Sequence, residues 1–570
     1  MPQTLSLIEL VANAERTIRE ILNLHNEWFL TQNGGAPLAI LRDEFDCSAS
    51  HGRLIFSSWT EHGSQTWRIT GWDWKSERLL LEATRGMGRE TATLELIPRA
   101  SARAVIASIA AARQVRCEQL AEVVARSFVA QGIGCGGLGV DDADRVRDAL
   151  AIESPAAGRS TNASKSRSKD GIGVASKLHP KPNPRPPGVK IERANLSPGM
   201  RRDQPGRYAR IILRLPHERV AVTGTVTQSD ARNADSLFSS ALLWFMRLQS
   251  APKRPPLQRL LMIVERDMLE AARQRHVLLR ESLRRRIELL EIDEGWHRVE
   301  PVRAFERKNI WKKKLARFPP VSEPTTSEHA REIISRAPNA IDVVSARHGQ
   351  TLRYHGLPFA RVRLLMEKEY LWFGIEGSRR RTLHAQHQRD WEKLLGDLAH
   401  YRHENCRDRR HWFYRAAGEA WLESILRRDV SKLDPGLIIA PLHAQFRTSH
   451  GRSTGVRPID LLALRHDGRL AVIELKVNED REHVFQGVDY WRRVEAHRRR
   501  GHISDAKLFG EREISDEAPL VYLVAPALRF HPSFPTLAKT IAPDIEIYRF
   551  DINEDWRSEV RVVRRERVNF

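Results

Sequence analysis

The sequence contains few cysteines and lacks long apolar segments. Only four cysteines occur among 570 residues, at positions 47, 117, 135 and 406, and no two of them form a Cys-x-x-Cys pair. This spacing argues against a disulfide framework and predicts a reduced, cytoplasmic protein. No apolar window of about 18 residues or more is present, so no membrane-spanning helix is expected. The N-terminal residues lack a basic segment followed by an apolar one, so no signal peptide is expected.

Motifs for nucleotide binding are absent or incomplete. No Gly-x-x-x-x-Gly-Lys-Ser/Thr sequence occurs, so any energy-driven step is expected to come from another protein. Gly132, Gly134 and Gly137 match Gly-x-Gly-x-x-Gly, but a helix-like segment precedes them where a dinucleotide fold requires a strand. We therefore interpret this glycine-rich segment as a loop.

Basic residues outnumber acidic residues across the chain. Lys and Arg total 93 against 72 Asp and Glu, which gives a formal net charge of +21 and an isoelectric point near 10.2. Such a charge favours a polyanionic partner, because neutralising phosphates releases condensed counterions. We predict DNA as the partner, with RNA ranked second and no membrane association. A protein partner or a homo-oligomer is compatible with the sequence.

Composition and periodicity predict an α/β protein with several domains, α+β overall. A chain of 570 residues has room for about three or four domains. The predicted units are a β-rich and helical N-terminal domain (1–152), a basic Pro/Ser-rich linker (153–206), a strand–helix domain with a long charged helix (207–318), connecting strands and a helix (319–404) and a C-terminal α/β domain (405–570).

Local patterns give more detailed expectations. Helical spacing of apolar residues predicts helices over 4–31, 101–112, 118–130, 233–248, 257–292, 383–427 and 482–497. Short alternating runs between residues 53 and 98 predict a small antiparallel sheet whose tryptophans are mostly core residues. The stretch 383–427 carries His384, His387, His400, His403 and Cys406, for which a polar helix face is favoured over a zinc site.

The most informative stretch is a buried hairpin that carries charged residues. Two apolar runs, 459–464 and 470–477, flank an Asp-Gly turn signal and are interrupted by Asp460, Glu474 and Lys476. Burying charge without a partner costs several kcal/mol. A divalent cation held by the two carboxylates would account for the cluster, because hard cations prefer oxygen ligands.

The register of this hairpin decides whether such a site can form. A two-residue turn at Asp467-Gly468 would place Asp460 and Glu474 on opposite faces of the sheet. A three-residue loop at 466–468, closed by a left-handed Gly468, places Asp460 directly opposite Glu474 and Lys476 farther along the same face. We predict the three-residue loop.

These motifs resemble the PD-(D/E)XK nuclease superfamily. The signature is present as Pro458-Ile-Asp460 and Glu474-Leu-Lys476, and a Gln486-x-x-x-Tyr490 element follows on the next helix, as in RecB-like members. The spacing from Glu419 to the hairpin is similar to that of NucS-type DNA endonucleases. The resemblance covers about residues 405–550 and implies a C-terminal restriction-endonuclease-like mixed sheet flanked by helices.

The resemblance implies roles for individual residues. Asp460, Glu474 and the carbonyl of Leu475 would bind Mg²⁺, with Mn²⁺ as a substitute, and Glu419 would complete the metal site. Glu423 lies one helical turn farther on and remains an alternative to Glu419. Lys476 would activate or orient the attacking water, Gln486 would position Lys476 or a ligand water, and Tyr490 would face the site.

The function implied is a Mg²⁺-dependent DNA endonuclease, and phage defence and DNA repair are both compatible roles. The alternative is a catalytically degenerate nuclease fold that binds nucleic acid or assembles a larger complex. Phosphate contacts are expected from the basic run 307–317 and from Arg492, Arg493 and the arginines at 498–500.

Overall fold

The computed structural model describes residues 7–130 and 189–570, with short gaps. These gaps are 33–37, 51–52, 61–62, 76, 86–89, 101, 199–205, 217, 227–233, 251–256, 304, 312–314, 319–325, 347–348, 366–367, 376–380 and 447–457. The glycine-rich segment 132–137 and most of the predicted linker lie outside the described residues. The predicted multidomain α/β class is confirmed by four β-sheets and their helices. Within the described ranges, no helix is long and apolar enough to cross a membrane.

The first sheet is a seven-stranded antiparallel sheet, and helix α1 (Leu7–Leu22) packs against it. Its strand order is β2-β1-β7-β6-β5-β4-β3. The strands are β1 (Glu27–Gln32), β2 (Leu38–Leu41), β3 (Phe45–Ser50), β4 (Arg53–Thr60), β5 (Gly63–Lys75), β6 (Arg78–Arg85) and β7 (Glu90–Pro98). The small antiparallel sheet predicted between residues 53 and 98 is confirmed as part of this larger sheet. Trp67 is a core residue as expected and Trp74 is partly buried against the core, but Trp72 is exposed, contrary to the expectation.

The helix predicted over 4–31 is wrong at its C-terminal end. The chain leaves the helix after Leu22 and forms β1, which pairs with both β2 and β7. Trp28 and Phe29 are adjacent in sequence and both buried, which a strand covered on two faces allows. The burial of both side chains, and not helical spacing, explains why this segment is a strand.

Helix α2 (Ala102–Ala130) connects the first and second sheets in sequence. Two helices were predicted here, but the chain continues as one helix, with Cys117 and Leu120 packed on the second sheet. The second sheet is mixed, with order β13-β12-β11-β10-β9-β8. Its strands are β8 (Lys190–Leu196), β9 (Tyr208–Arg214), β10 (Arg219–Thr225), β11 (Arg259–Glu265), β12 (Ile287–Ile292) and β13 (Val299–Pro301).

Two expectations about the second sheet are wrong. Strand β8 lies inside the predicted linker and pairs with β9. The helix predicted over 257–292 is instead β11, α4 (Arg266–His276), α5 (Glu281–Arg284) and β12. Strand β11 lies between two parallel neighbours, so its apolar residues are buried on both faces and do not alternate. The predicted helix before it is confirmed as α3 (Ala234–Gln249).

The third sheet is an antiparallel meander with order β14-β15-β16-β17-β18. Its strands are β14 (Ile341–Ala346), β15 (Gly349–Tyr354), β16 (Leu357–Leu365), β17 (Lys368–Phe373) and β18 (Arg381–Thr382), and the short helices α6 (Arg307–Ile310) and α7 (Glu328–Arg336) precede it. The helical stretch predicted over 383–427 is divided into α8 (Gln388–Tyr401), α9 (Trp412–Arg415) and α10 (Gly418–Arg428). The break follows Arg402, a fully buried residue whose guanidinium donates to the carbonyls of Tyr354 and Phe413.

The C-terminal sheet is mixed, with order β19-β20-β21-β22-β23-β24. Its strands are β19 (His443–Phe446), β20 (Ile459–Leu464), β21 (Leu470–Leu475), β22 (Leu520–Pro526), β23 (Ile547–Ile552) and β24 (Val562–Arg567). The helices are α11 (His483–Arg498), α12 (His502–Asp505) and α13 (Phe534–Ala538). Helix α11 confirms the helix predicted over 482–497.

The second sheet and the C-terminal sheet share one hydrophobic core. Phe238 of α3 contacts Phe485 of α11, with ring centroids 5.9 Å apart. The same core includes Leu260 of β11 and Leu523 of β22. The strand–helix unit and the C-terminal unit are therefore packed against each other through buried apolar side chains, which fixes the position of α3 relative to the charged hairpin.

Candidate active site

The β20–β21 hairpin has the predicted register. Leu461 pairs with Ile473 and Leu464 pairs with Leu470, and one more step along the ladder places Asp460 opposite Glu474. The loop consists of residues 466–468, and Gly468 has a φ of +78°, in the left-handed region that glycine tolerates. The three-residue loop is thus confirmed. Asp460 Oδ2 also accepts a hydrogen bond of 2.9 Å from the backbone N–H of Leu475.

The position of β21 in the sheet explains the burial of Glu474. Strand β21 lies between β20 and β22, and Glu474 is only 1% exposed. Val472 shares its face and packs beneath Tyr490 of α11, whereas Leu475 points to the opposite core. The alternation of a strand therefore directs Asp460 and Glu474 to the same side as α11.

Lys476 lies among several carboxylates at the end of β21. Its Nζ is 2.8 Å from Glu474 Oε1, 3.8 Å from Asp480 Oδ2 and 3.9 Å from Glu419 Oε2. Burial alone would lower the pKa of Lys476, but the carboxylates outweigh it and the pKa is raised well above its usual value. Lys476 is therefore held as an ammonium ion.

The surroundings of Glu474 favour its neutral form, unlike those of Lys476, which favour the charged form. Burial raises its pKa, and the neighbouring Asp460 raises it further, while Lys476 acts in the other direction. The second carboxylate oxygen, Oε2, is buried and has no hydrogen-bond partner. An unpartnered buried carboxylate oxygen is costly unless another group neutralises it.

Glu419 and Glu423 both reach the site but have different contacts. The Glu419 side chain is about half exposed and its carboxylate lies beside Lys476. Glu423 is buried and accepts hydrogen bonds from Arg353 at 3.2 Å and from Gln445 Nε2 at 2.7 Å. Gln445 Nε2 also lies 3.5 Å from Asp460 Oδ1, so it links Glu423 to the hairpin.

Gln486 and Tyr490 lie one turn apart on α11, and both are buried. Gln486 Nε2 is 3.5 Å from Asp480 Oδ2, and its Oε1 has no hydrogen-bond partner. Its contact with Lys476 is therefore indirect, through Asp480. Burial raises the pKa of Tyr490, and the negative charges of Glu474 and Asp460 add to the increase. The side chains predicted to surround the hairpin carboxylates thus lie around them.

Four residues of the site were not found from the sequence. They are Arg353, Gln445, Asp480 and His483. His483 is buried, its Nε2 lies 3.3 Å from the carbonyl oxygen of Glu474, and burial lowers its pKa to about 3, assisted by the positive charge of Lys476. Asp480 and His483 follow β21 within eight residues, so a search for polar residues after the strand could have found them. Arg353 comes from the third sheet, and no local spacing connects it to the hairpin.

Oxygen donors dominate the site, and this chemistry fits a hard divalent cation. Glu474 and Gln486 each have a buried side-chain oxygen without a hydrogen-bond partner, Oε2 and Oε1, and the Asp460 carboxylate lies on the same face of the hairpin as Glu474. Among the described residues, no group of three or more His, Cys, Asp or Glu side chains is arranged to hold a metal ion. A cation here would therefore depend on amide, carbonyl or water oxygens in addition to the carboxylates.

Other predicted contacts have mainly structural partners. Arg492 pairs with Asp489 at 2.7 Å, and Arg498 and Arg499 both pair with Glu495. Arg307, at the start of the basic run, pairs with Asp544 at 2.7 Å. These arginines stabilise the domain through internal ion pairs.

Comparison of the chain with protein-family models, with curated proteins and with solved structures gave no match.

Proposed function

We propose that the chain is a metal-dependent endonuclease that hydrolyses phosphodiester bonds in DNA. The observation that carries this proposal is the placement of Asp460 opposite Glu474 on a buried hairpin, with Lys476 two residues farther along the same face. The buried Glu474 carboxylate, with one unpartnered oxygen and with the half-buried Asp460 opposite it, is a costly arrangement for a purely structural hairpin. The net charge of +21 supports a polyanionic substrate.

Each residue has a defined task in this proposal. Asp460, Glu474 and the carbonyl of Leu475 would hold Mg²⁺ or Mn²⁺, with Glu419 at the edge of the site. The cation would neutralise charge on the phosphate and make a bound water more acidic. Lys476, already protonated, donates hydrogen bonds and therefore orients the attacking water without accepting its proton. Gln486 restrains Asp480 and through it the Lys476 ammonium.

A second function, binding without cleavage, is supported by a specific contact. Lys476 Nζ already pairs with Glu474 Oε1 at 2.8 Å, so one metal-ligand candidate has a protein partner. If this pair persists when DNA is bound, the fold would bind nucleic acid or assemble with other proteins without hydrolysis. RNA is a further substrate candidate, because no residue of the site is known to distinguish the 2′-hydroxyl.

The test is digestion of linear, circular and branched DNA, and of matched RNA, with Mg²⁺, Mn²⁺ or EDTA. The wild type is expected to cut DNA only with a divalent cation. Asp460→Asn removes one charge from the site while keeping the shape of the side chain, so it is expected to abolish cleavage and to retain DNA binding. Asp516→Asn, at an exposed position of the same domain, is the matched control and should cut normally.

Two results would contradict the endonuclease proposal. Cleavage by Asp460→Asn at the wild-type rate would show that the hairpin is not the active site. Intact DNA in every metal condition, with DNA still bound at moderate salt, would support the binding function instead.

A further inference from the structure

A cavity of about 240 Å³ lies at the edge of the second sheet, apart from the carboxylate hairpin. Its walls include Arg193 and Asn195 of β8, Arg210 of β9, and Trp244 and Arg247 of α3. Three of these five side chains carry a positive charge. The cavity is therefore strongly basic, and none of the residues that line it is acidic.

Strand pairing and helix spacing together build this cavity. Asn195 pairs with Arg210 across the β8–β9 ladder, and a bulge between Ile191 and Arg193 shifts the edge strand. Because Ile212 of β9 packs beneath α3, Arg210 lies on that face too. Trp244 and Arg247 are three residues apart on α3 and so share one side of the helix.

The arginines of the cavity have no acidic partners in the part of the chain that the structure describes. Among the described residues, no carboxylate forms an ion pair with Arg193, Arg210 or Arg247. Burial, together with the charges of Arg247, Arg481 and Arg193, lowers the pKa of Arg210 to about 10. The guanidinium of Arg210 lies 5.7 Å from the centre of the Trp244 ring. This cation–π contact stabilises the guanidinium but does not neutralise its charge.

This arrangement differs from that of a structural arginine in the same unit. Arg275, on α4, is buried and pairs with Asp235 at 2.8 Å and with Asp489 at 3.2 Å. A buried cation normally has such partners. The half-buried Arg210 and the exposed Arg193 and Arg247 have no such carboxylate among the described residues, so their grouped positive charge points to an anion supplied from outside the chain.

Arg481 connects the cavity to the candidate active site. Its Nε is buried without a hydrogen-bond partner, and its charge acts on Arg210. The carbonyl oxygen of Arg481 accepts a hydrogen bond from Ser239 Oγ of α3 at 3.4 Å. Arg481 directly follows Asp480, whose carboxylate lies 3.8 Å from Lys476 Nζ. A series of cations thus extends from Lys476 through Arg481 to the cavity.

We propose that this cavity binds a backbone phosphate of the nucleic-acid strand whose scissile phosphodiester lies at Asp460 and Glu474. The inference rests on the proposed function, and it names the surface that positions the substrate. The planar guanidinium groups of Arg210 and Arg247 match the oxygens of a phosphodiester in a bidentate geometry. Arg481 contacts the strand between the cavity and the hairpin.

The test measures DNA binding in EDTA, so that it does not depend on cleavage. The dissociation constant of the full-length chain for a short labelled DNA is measured against salt concentration. The double variant Arg193→Gln/Arg247→Gln changes two exposed side chains. It is expected to bind several-fold more weakly, with the slope of log K against log salt reduced by about 1, because a phosphate contact is lost. Arg298→Gln, an exposed arginine near the opposite edge of the same sheet, should leave both quantities unchanged.

The outcomes separate this inference from the nuclease proposal. Equal affinity and slope for the double variant and Arg298→Gln would overturn the cavity as a phosphate site, even if the wild type cuts DNA. A reduced slope in a protein that never cuts would support the cavity and contradict the nuclease. Oligonucleotides with a 5′-hydroxyl or a 5′-phosphate give a further comparison. A loss confined to the 5′-phosphorylated DNA would overturn the backbone assignment in favour of a terminal phosphate.

Discussion

Lys476 Nζ lies 2.8 Å from Glu474 Oε1, and both side chains are almost completely buried. The two residues are separated by Leu475, so the alternation of the strand places them on one face. The pair compensates one oxygen of Glu474 and leaves the other, Oε2, without a partner. The hairpin thus holds a charge-balanced pair with one remaining acceptor.

Lys476→Ala should destabilise the fold in addition to abolishing cleavage. Breaking a buried ion pair typically costs about 3–5 kcal/mol, because it leaves an uncompensated charge. Chemical denaturation of the wild type and the variant measures this loss. The double variant Lys476→Ala/Glu474→Gln should recover part of it, since the isolated carboxylate is removed. Lys507→Ala, which breaks an exposed pair with Glu511, is the control and should cost less than about 1 kcal/mol. Equal losses for both lysines would contradict the ion-pair interpretation.

Divalent cations should stabilise the folded chain through Asp460. A ligand that binds only the folded state at about 100 times its dissociation constant adds about 2.7 kcal/mol to the free energy of unfolding. Thermal unfolding with and without Mg²⁺ or Mn²⁺ measures this effect without any nuclease assay. The shift should disappear in Asp460→Asn and persist in Asp516→Asn. An identical shift in both variants would show that the cation binds elsewhere.

The hairpin could be predicted because its information is local. Asp467-Gly468 indicates the turn, and the apolar runs on either side indicate burial, so the positions of Asp460 and Glu474 follow from strand alternation. The Gln-x-x-x-Tyr spacing likewise places Gln486 and Tyr490 on one side of α11. Each of these inferences spans only a few residues within one or two elements.

The parts that could not be predicted depend on distant contacts. Arg353 reaches Glu423 from a strand of the third sheet, 70 residues earlier in the chain. Strand β11 was predicted as a helix because its apolar run is not alternating, and only its two parallel neighbours explain that run. The Arg210 cavity requires β8, which lies in a segment with the composition of a linker. Contacts between residues that are distant in the sequence determine the Arg353–Glu423 contact, strand β11 and the Arg210 cavity.

His355 should make the stability of the protein sensitive to acid. Burial lowers its pKa to about 3, and the charges of Arg402 and Arg428 act in the same direction. The folded chain keeps the imidazole neutral, whereas the unfolded chain binds a proton below its ordinary pKa of about 6.5. The contribution of His355 to the free energy of unfolding is therefore fully present above pH about 6.5 and is lost as the pH falls towards about 3. In that range the free energy of unfolding decreases by up to about 1.4 kcal/mol per pH unit.

The test compares denaturation of the wild type and His355→Asn between neutral and acidic pH. Asparagine tolerates the left-handed backbone at this position, where φ is +42°. The variant should lose stability at neutral pH, because His355 stacks on Trp421 with ring centroids 5.1 Å apart. Its stability should decrease less steeply below pH about 6.5. The exposed variant His297→Asn should retain the wild-type slope, and a wild-type slope in His355→Asn would contradict the assignment.

Arg275 should join the second sheet unit and the C-terminal unit into one cooperative structure. Its guanidinium pairs with Asp235 of α3 and with Asp489 of α11, and all three residues are buried. Arg275→Met removes the cation and leaves the buried Asp235 carboxylate without its ion pair, whereas Asp489 keeps Arg492, so we expect a loss of about 3–5 kcal/mol.

Denaturation followed by both tryptophan fluorescence and circular dichroism measures this loss and its cooperativity. Because the two units share a core around Phe238 and Phe485, residues 207–301 and 405–570 should unfold in one transition in the wild type. In Arg275→Met that transition should move to lower denaturant concentration, whereas Arg298→Met should leave it in place. If the variant instead shows two separate transitions, with the later one unchanged from the wild type, the C-terminal unit would be stable alone. The ion pair would then be a docking contact between two independent domains, and the DNA path from the Arg210 cavity to Lys476 would depend on how firmly they dock.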